Sequence, residues 1–453
     1  MAGWQEMRTR SRRRNRLPEP QQVTIESMSH EGRGIARING KTVFVFGALT
    51  GETVLIKIIK STRSFDQAIT LEVIEPSALR IEPRCEAFQV CGGCSLQHVD
   101  NDDQVNLKQQ SLLDMMAHAG LEPEQLMSAL RGDAWGYRNK ARLGVKDVAK
   151  KGRVLVGFRE RNTPYIADMR RCEVLLPAVG HQLELLSELI AELDARAQIP
   201  QIEVAADAKH VQLVFRHLQP LSEHDRGRLE EFARKHDFQV LLQPGGPDTV
   251  EALYPLEPEL YLHPDLESDI RIGFNALDFV QVNPEINRQM VAQALNLLEL
   301  QPDHSTLDLF CGLGNFTLPL ARRCAQVTGV EVDETMLRRA RTAARANHIE
   351  NTEYYCADLS RPDPDVDWMQ RQYDRILLDP PRSGALEMAQ TIGRFDAARI
   401  VYVSCQPSSL VRDAAIICAQ GYRMSKLGIM DMFPQTAHVE AMAVFERVKR
   451  RSK

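Results

Sequence analysis

Apolar positions recur on two different periods along this 453-residue chain, and the change of period marks out its segments. Between residues 17 and 78 they alternate with polar ones: Val23-Thr24-Ile25-Glu26, then Gly34-Ile35-Ala36-Arg37-Ile38, Thr42-Val43-Phe44-Val45-Phe46 and Val54-Leu55-Ile56-Lys57-Ile58-Ile59. Alternation is the mark of a half-buried strand, and the Asn39-Gly40 pair between two such runs is a strong hairpin signal. Several short strands at this spacing predict an OB-like β-barrel over 17–78, a kind of barrel that carries oligonucleotides in some proteins and is a plain structural cap in others. Over 100–120 the period becomes helical, with Leu107, Leu112, Met115 and Met116 on one face and Gly120 as a stop. Residues 135–175 return to strands, and 181–197 predict a core helix through Leu185, Leu186, Leu189 and Leu193. From about residue 271 strand-like and helical stretches alternate, the pattern of a doubly wound parallel sheet.

In such a sheet the carboxyl ends of the strands form the ligand crevice. The run Leu307-Asp308-Leu309-Phe310-Cys311-Gly312-Leu313-Gly314-Asn315-Phe316 reads as a buried strand entering a glycine turn and then a helix over 317–323. Glycines there let the backbone turn sharply and approach a ligand, and the helix start offers unpaired N–H groups. A second apolar strand ends in Glu331, where a carboxylate can accept both ribose hydroxyls of a nucleoside. Thr317 stands where a dinucleotide site would have a third glycine, so a cofactor with adenosine but no pyrophosphate is expected, and S-adenosylmethionine is the obvious one. Two further runs stop at Asp379, in Ile376-Leu377-Leu378-Asp379-Pro380-Pro381-Arg382, and at Cys405, in Ile400-Val401-Tyr402-Val403-Ser404-Cys405-Gln406-Pro407. A carboxylate and a thiol at strand ends face the same crevice.

Composition narrows the class without deciding it. With 43% hydrophobic and 26% charged residues the chain is ordinary for a globular protein of two to four domains, and no apolar run approaches the ~18 residues of a membrane span. A cytoplasmic protein is the expectation. The net charge of −5 hides an asymmetry: residues 1–16 carry six arginines against Glu6, leaving −10 on the rest. Such a tail is expected to be disordered and suits a phosphate backbone, or is simply solvated. Arg138, Lys140 and Arg142, with Lys150, Lys151, Arg159 and Arg161, form a second candidate for backbone contact, against the alternative of a solvated strand face. Of nine cysteines, Cys85, Cys91 and Cys94 cluster as C-x5-C-x2-C, with Cys172 the candidate fourth ligand, and four thiolates suit either zinc or an iron–sulfur cluster. Cys311, Cys324, Cys356 and Cys418 have no partner spacing and are expected in the core.

Together these residues resemble the bacterial 5-methyluridine RNA methyltransferases, from about residue 17 almost to the end. The resemblance rests on C-x5-CGGC with its distant cysteine, Phe279-Val280-Gln281-Val282-Asn283, the glycine-turn segment, the Asp379 and Cys405 motifs, and Met432-Phe433-Pro434-Gln435-Thr436-Ala437-His438-Val439-Glu440. It implies an α/β multidomain protein: the tail over 1–16, a TRAM barrel at 17–78, a central α+β iron–sulfur domain at 79–270, and a Rossmann-like class I methyltransferase domain at 271–453. It also implies a [4Fe–4S] cluster on Cys85, Cys91, Cys94 and Cys172, and S-adenosylmethionine contacts from Gln281, Phe310, Asn315, Glu331, Asp358 and Asp379. Relatives acting on tRNA lack both barrel and cluster, so the pair favours a specific uridine of 23S ribosomal RNA as substrate, methylated by a monomeric enzyme with no membrane partner. Another rRNA or tRNA uridine is the alternative, and a cluster-bearing RNA-binding protein without activity is the more distant one. Uracil C5 is a weak nucleophile, so a thiolate must first add at C6. Cys405 is the expected nucleophile and Glu440 the expected base for the C5 proton. A base hidden in a folded RNA has to be flipped or splayed to reach them.

Overall fold

A computed structural model describes residues 17–265 and 269–448, so the arginine tail lies outside the described residues. The chain divides into two compact units, Met1–Ile81 and Glu82–Lys453. In the first, six strands form one sheet in the order Gln21–Thr24, Thr53–Ser61, Phe65–Glu75, Lys41–Phe46, Gly34–Ile38 and Ser27–Met28. Its core is the apolar half of the alternation, including Ile25, Ala36, Val43, Val45, Val54 and Ile56. Asn39 and Gly40 both have positive φ, 50° and 80°, as a primed two-residue turn requires. The long strand Phe65–Glu75 was not evident in the alternation, because its outer half is exposed.

In the second unit, strands Lys140–Val148 and Arg153–Gly157 join Gln201–Ala206, Val211–Arg216, Gln239–Gln243 and Glu251–Tyr254 in a six-stranded sheet. The helix expected over 181–197 is continuous only for Leu183–Ala191. The buried Asp225 carboxylate accepts the Asp194 and Ala195 N–H groups at 2.7 and 3.1 Å, which turns the chain out of the helix.

The largest sheet holds β1 (Ser305–Leu309), β2 (Gln326–Glu331), β3 (Thr352–Cys356), β4 (Arg375–Leu378), β5 (Arg399–Ser404), β6 (Tyr422–Met430) and β7 (Glu440–Arg447). Their order is β3-β2-β1-β4-β5-β7-β6, with the upstream segment Gln125–Leu126 added beside β6. The first five are parallel, as expected, and β6 runs in the same direction; β7, paired between β5 and β6, is antiparallel to both, which the wholly parallel expectation missed. Helix α1 (Asn101–His118) packs Val105, Leu112 and Met116 onto one face of this sheet, among Leu307, Ile376, Ile400 and Phe445. The opposite face is covered by the helix Pro284–Leu298. Of the cysteines expected in the core, Cys311 and Cys324 are buried and Cys418 is half-buried. Cys356 is exposed, because it is the last residue of β3, which pairs on one side only at the edge of the sheet. Among the described residues no helix is long and apolar enough to cross a membrane.

The first unit is fastened by one buried carboxylate. Glu52 accepts the Leu49 and Ser77 N–H groups and is paired with Arg80; burial opposes its charge, but these partners win and hold it below the usual carboxylate range. Glu52→Ala should cost about 3 kcal/mol of that unit's stability, since it strands a partly buried cation and two amides. Urea unfolding should register an early transition, while S-adenosylmethionine affinity stays unchanged.

Candidate active site

A cleft of about 850 Å³ opens at the carboxyl edge of β1 to β5. Gln281, Phe310, Asn315, Glu331, Asp358, Asp379, Cys405 and Glu440 all line it. Each parallel strand delivers one of them at or just past its end: Phe310 from β1, Glu331 from β2, Asp358 from β3, Asp379 from β4 and Cys405 from β5. The β1 turn is held open by left-handed backbone at Phe310, Gly312 and Gly314, with φ of 65°, 53° and 92°. A Cβ at Gly312 would meet nothing within 4 Å, so conformation and not space requires glycine there. The Glu331 carboxylate accepts the Gly312 N–H at 3.2 Å and the Val332 and Asp333 N–H groups at 2.8 and 3.2 Å. That fixes it at the mouth of the turn with room for further donors, and the cleft volume fits an adenosine-sized cofactor.

Glu440 comes from the other direction. Because β7 runs antiparallel to β5, its first residue lies at the edge where β5 ends, and the register pairs Ser404 with Ala441. Cys405 and Glu440 therefore flank one cross-strand pair. Glu440 is 4% exposed and opens the strand, so a solvated turn carboxylate is not what the fold makes of it.

Two models of known families match this chain: one described as tRNA (Uracil-5-)-methyltransferase over residues 267–448, and the TRAM domain over 19–68. Proteins named 23S rRNA (uracil(1939)-C(5))-methyltransferase RlmD from Alcanivorax borkumensis and Hahella chejuensis are each 49% identical over 446 residues, covering 97% and 96% of this chain and all of theirs. The chain belongs to the RNA uracil-C5-methyltransferase family. The RlmD of Xanthomonas campestris pv. campestris is 46% identical over 443 residues, covering 96% of this chain. In fold the chain is similar to Pyrococcus abyssi tRNA (uracil-54, C5)-methyltransferase, crystallised with S-adenosyl-L-homocysteine, at TM-score 0.73 and 21% identity over 94% of this chain and 99% of that one.

In this uracil-C5-methyltransferase other residues shape the cleft that the motifs alone did not mark. Asn287, fully buried on the helix Pro284–Leu298, exchanges two amide hydrogen bonds with Asn315 at 2.9 and 3.0 Å. Asp413, also buried, accepts from Tyr402 Oη and the Ala385 N–H at 2.6 and 2.7 Å, and so holds the loop that follows Asp379. Arg382 lines the cleft and places its charge in the field of both Cys405 and Glu440. The signal for the first two was their helical phase, which becomes readable only once the facing element is known.

Cys85, Cys91, Cys94 and Cys172 line a second, small cavity with Phe88, Phe158 and Met169. Among the described residues no three His, Cys, Asp or Glu side chains converge as a single metal ion would require. Cys91 Sγ accepts the Gly93 N–H at 3.3 Å, and Arg161 donates to the carbonyls of Cys91 and Cys94. Burial pushes the Cys94 thiol up to about 12 and Cys172 to about 11, with the neighbouring thiols adding to the effect. An open groove beside this cavity is lined by Arg142, Lys146, Lys151, Arg159 and Tyr165. Part of the basic strand face is already matched, Arg142 by Glu203 and Lys151 by Asp168, while Lys140 is half-buried.

Electrostatically the main cleft is crowded with acids. Burial lifts Asp379 to about 7, and burial with the Asp379 charge lifts Glu440 to about 8, against the pull of Arg382 and Lys108. Burial, then Glu440 and Asp379, raise the Cys405 thiol to about 11. Both carboxyls hold their protons more tightly folded than unfolded, so their contribution to stability is fully present below about pH 4 and is lost as pH rises through about 7 to 8. The thermal midpoint of the ligand-free protein should fall between pH 5 and pH 8. In Glu440→Gln, which has no proton to lose there, the fall should be smaller; equal falls would mean that Glu440 ionises normally.

Proposed function

We propose that this protein transfers a methyl group from S-adenosylmethionine to C5 of a uridine in 23S ribosomal RNA, the one numbered 1939 in the names of its relatives, through a covalent bond between Cys405 and C6. Near-full-length identity to those relatives supports the substrate, and the juxtaposition of Cys405 and Glu440 across the β5–β7 pair supports the chemistry. Gln281, Phe310, Asn315, Glu331, Asp358 and Asp379 hold the cofactor, with Glu331 on the ribose.

Cys405 rests as a thiol, since its proton is held up to about 11, so the proton must leave as sulfur adds. The neighbouring carboxylates, ionised above about pH 8, are the acceptors in reach of that field. Sulfur addition at C6 moves the C5=C6 electron pair into an enolate, and C5 then takes the methyl group from the sulfonium, which leaves as neutral thioether. Glu440 removes the C5 proton. The freed electron pair re-forms C5=C6 and expels Cys405, which recovers its own proton. The TRAM unit and the groove at Lys146 and Arg159 bind the RNA backbone around the splayed target.

RNA carrying 5-fluorouridine should form a complex with the protein that survives denaturation, and Cys405→Ala should abolish it. With ordinary uridine, Glu440→Gln should accumulate methylated RNA bound through Cys405, because losing a general base costs ~10²–10⁴ in rate. A complex that persists in Cys405→Ala, or turnover in Glu440→Gln near that of the wild type, overturns the assignment.

The family resemblance favours a [4Fe–4S] cluster on the four cysteines, and all four wall one cavity, as a cluster taking one thiolate at each iron would need. The cluster would supply an electron-accepting centre and a rigid cross-link between residues 85–94 and Cys172. Protein prepared without oxygen should be brown, and Cys172→Ala should lose the colour while keeping S-adenosylmethionine binding; colourless protein with one bound zinc overturns the cluster.

A further inference from the structure

The residues that precede Glu440 have no strand partners, because the β6–β7 ladder begins at the Met430 and Glu440 pair. Several of their backbone groups bond instead to the cysteine segment and α1. At the centre is Gln435, 1% exposed, with a left-handed φ of 68° that a residue other than glycine keeps only when its surroundings over-determine it. Its N–H donates to Gln104 Oε1 at 2.9 Å, and its carbonyl accepts the Ser95 and Leu96 N–H groups at 2.9 and 3.0 Å. The side chain completes the clamp: Nε2 donates to Asn101 Oδ1 at 2.7 Å and Oε1 accepts from Gln104 Nε2 at 3.0 Å. Two residues on, the Ala437 N–H donates to Ser95 Oγ at 2.9 Å; one residue back, Tyr137 Oη donates to the Pro434 carbonyl at 2.9 Å.

Ser95 directly follows Cys94, so the wall of the cysteine cavity and the loop leading into Glu440 are hydrogen-bonded to one another. We propose that Gln435, clamped by Gln104 and the Ser95–Leu96 amides, is a positioning residue for proton abstraction, transmitting the order of the cysteine segment to Glu440. The proposal rests on the reading of Glu440 as the base. The hydrogen bonds of Gln435 go to Ser95, Leu96, Asn101 and Gln104 and not to the strand ends that carry Cys405 and the cofactor residues, so loosening the clamp weakens the second half of the reaction and spares the first. That separation is what a general packing role would not produce.

Gln104→Leu removes the acceptor of the Gln435 N–H and the partner of its amide at a residue that does not itself line the cleft. Gln435→Gly keeps the left-handed backbone and the main-chain bonds and deletes only the side chain, so it remains informative if Gln104→Leu folds poorly. Both variants should bind S-adenosylmethionine and form the 5-fluorouridine complex as the wild type does, and should keep the visible absorbance of the cysteine site. With ordinary uridine, Gln104→Leu should release methylated RNA ~10- to 100-fold more slowly and leave a covalent band on a denaturing gel, with Gln435→Gly intermediate. If Glu440→Gln stalls in this way while both variants release normally, or if their complex formation and release fall together, the positioning role is overturned. Should Glu440→Gln itself release normally, the reading beneath the proposal fails, and the proposal with it.

Discussion

The reaction geometry depends on one strand pairing. β7 lies antiparallel to β5, and that reversal brings the start of one strand to the end of the other. Five parallel strands supply carboxyl-edge residues as any doubly wound sheet does. Only the reversed strand can add a residue to that edge from the far end of the chain. A wholly parallel sheet would leave Glu440 at the opposite edge, roughly a strand length from Cys405.

Having gathered these groups, the fold must keep them from destabilising one another. Asp308 and Glu440 each lie in the field of Asp379, and burial raises all three. Arg382 and Lys108 are the opposing charges near Glu440. Lys108 is itself buried and paired with Asp431 at 2.6 Å, so its charge is largely spent on that partner. A cleft so poor in neutralising charge suits a cationic sulfonium, and it makes the Glu440 carboxylate, once ionised, a stronger base than a solvated one. The same crowding that costs stability above neutrality prepares the site for its proposed chemistry.

The region around the cysteines is not a separate appendage. Residues 91–137 contribute α1 to one face of the methyltransferase sheet, and Ser95, Leu96, Gln104, Lys108 and Tyr137 to the backbone that leads into β7. Segments more than 290 positions apart in sequence thus share one hydrogen-bond network. Its rigidity comes from buried donors and acceptors that are satisfied within it.

The alternating period over 17–78, the helical period of α1, and the strand ends carrying Phe310, Glu331, Asp379 and Cys405 were legible because each is a local pattern repeated over one turn or one pleat. The four cysteines were legible as a group through spacing and rarity. What local pattern could not carry was anything decided by a partner distant in sequence. The antiparallel setting of β7 and the burial of Glu440 follow from pairing with β5 and β6. Asn287 and Asp413 acquire their places only when Asn315 and the Asp379 loop arrive against them, and the helix over 181–197 stops early because Asp225 is brought to its end. Hydrophobic period is a property of neighbouring residues and survives in the sequence alone. A carboxylate's proton affinity and a loop's hydrogen-bond partners are properties of what surrounds them in space, and those only the tertiary structure decided.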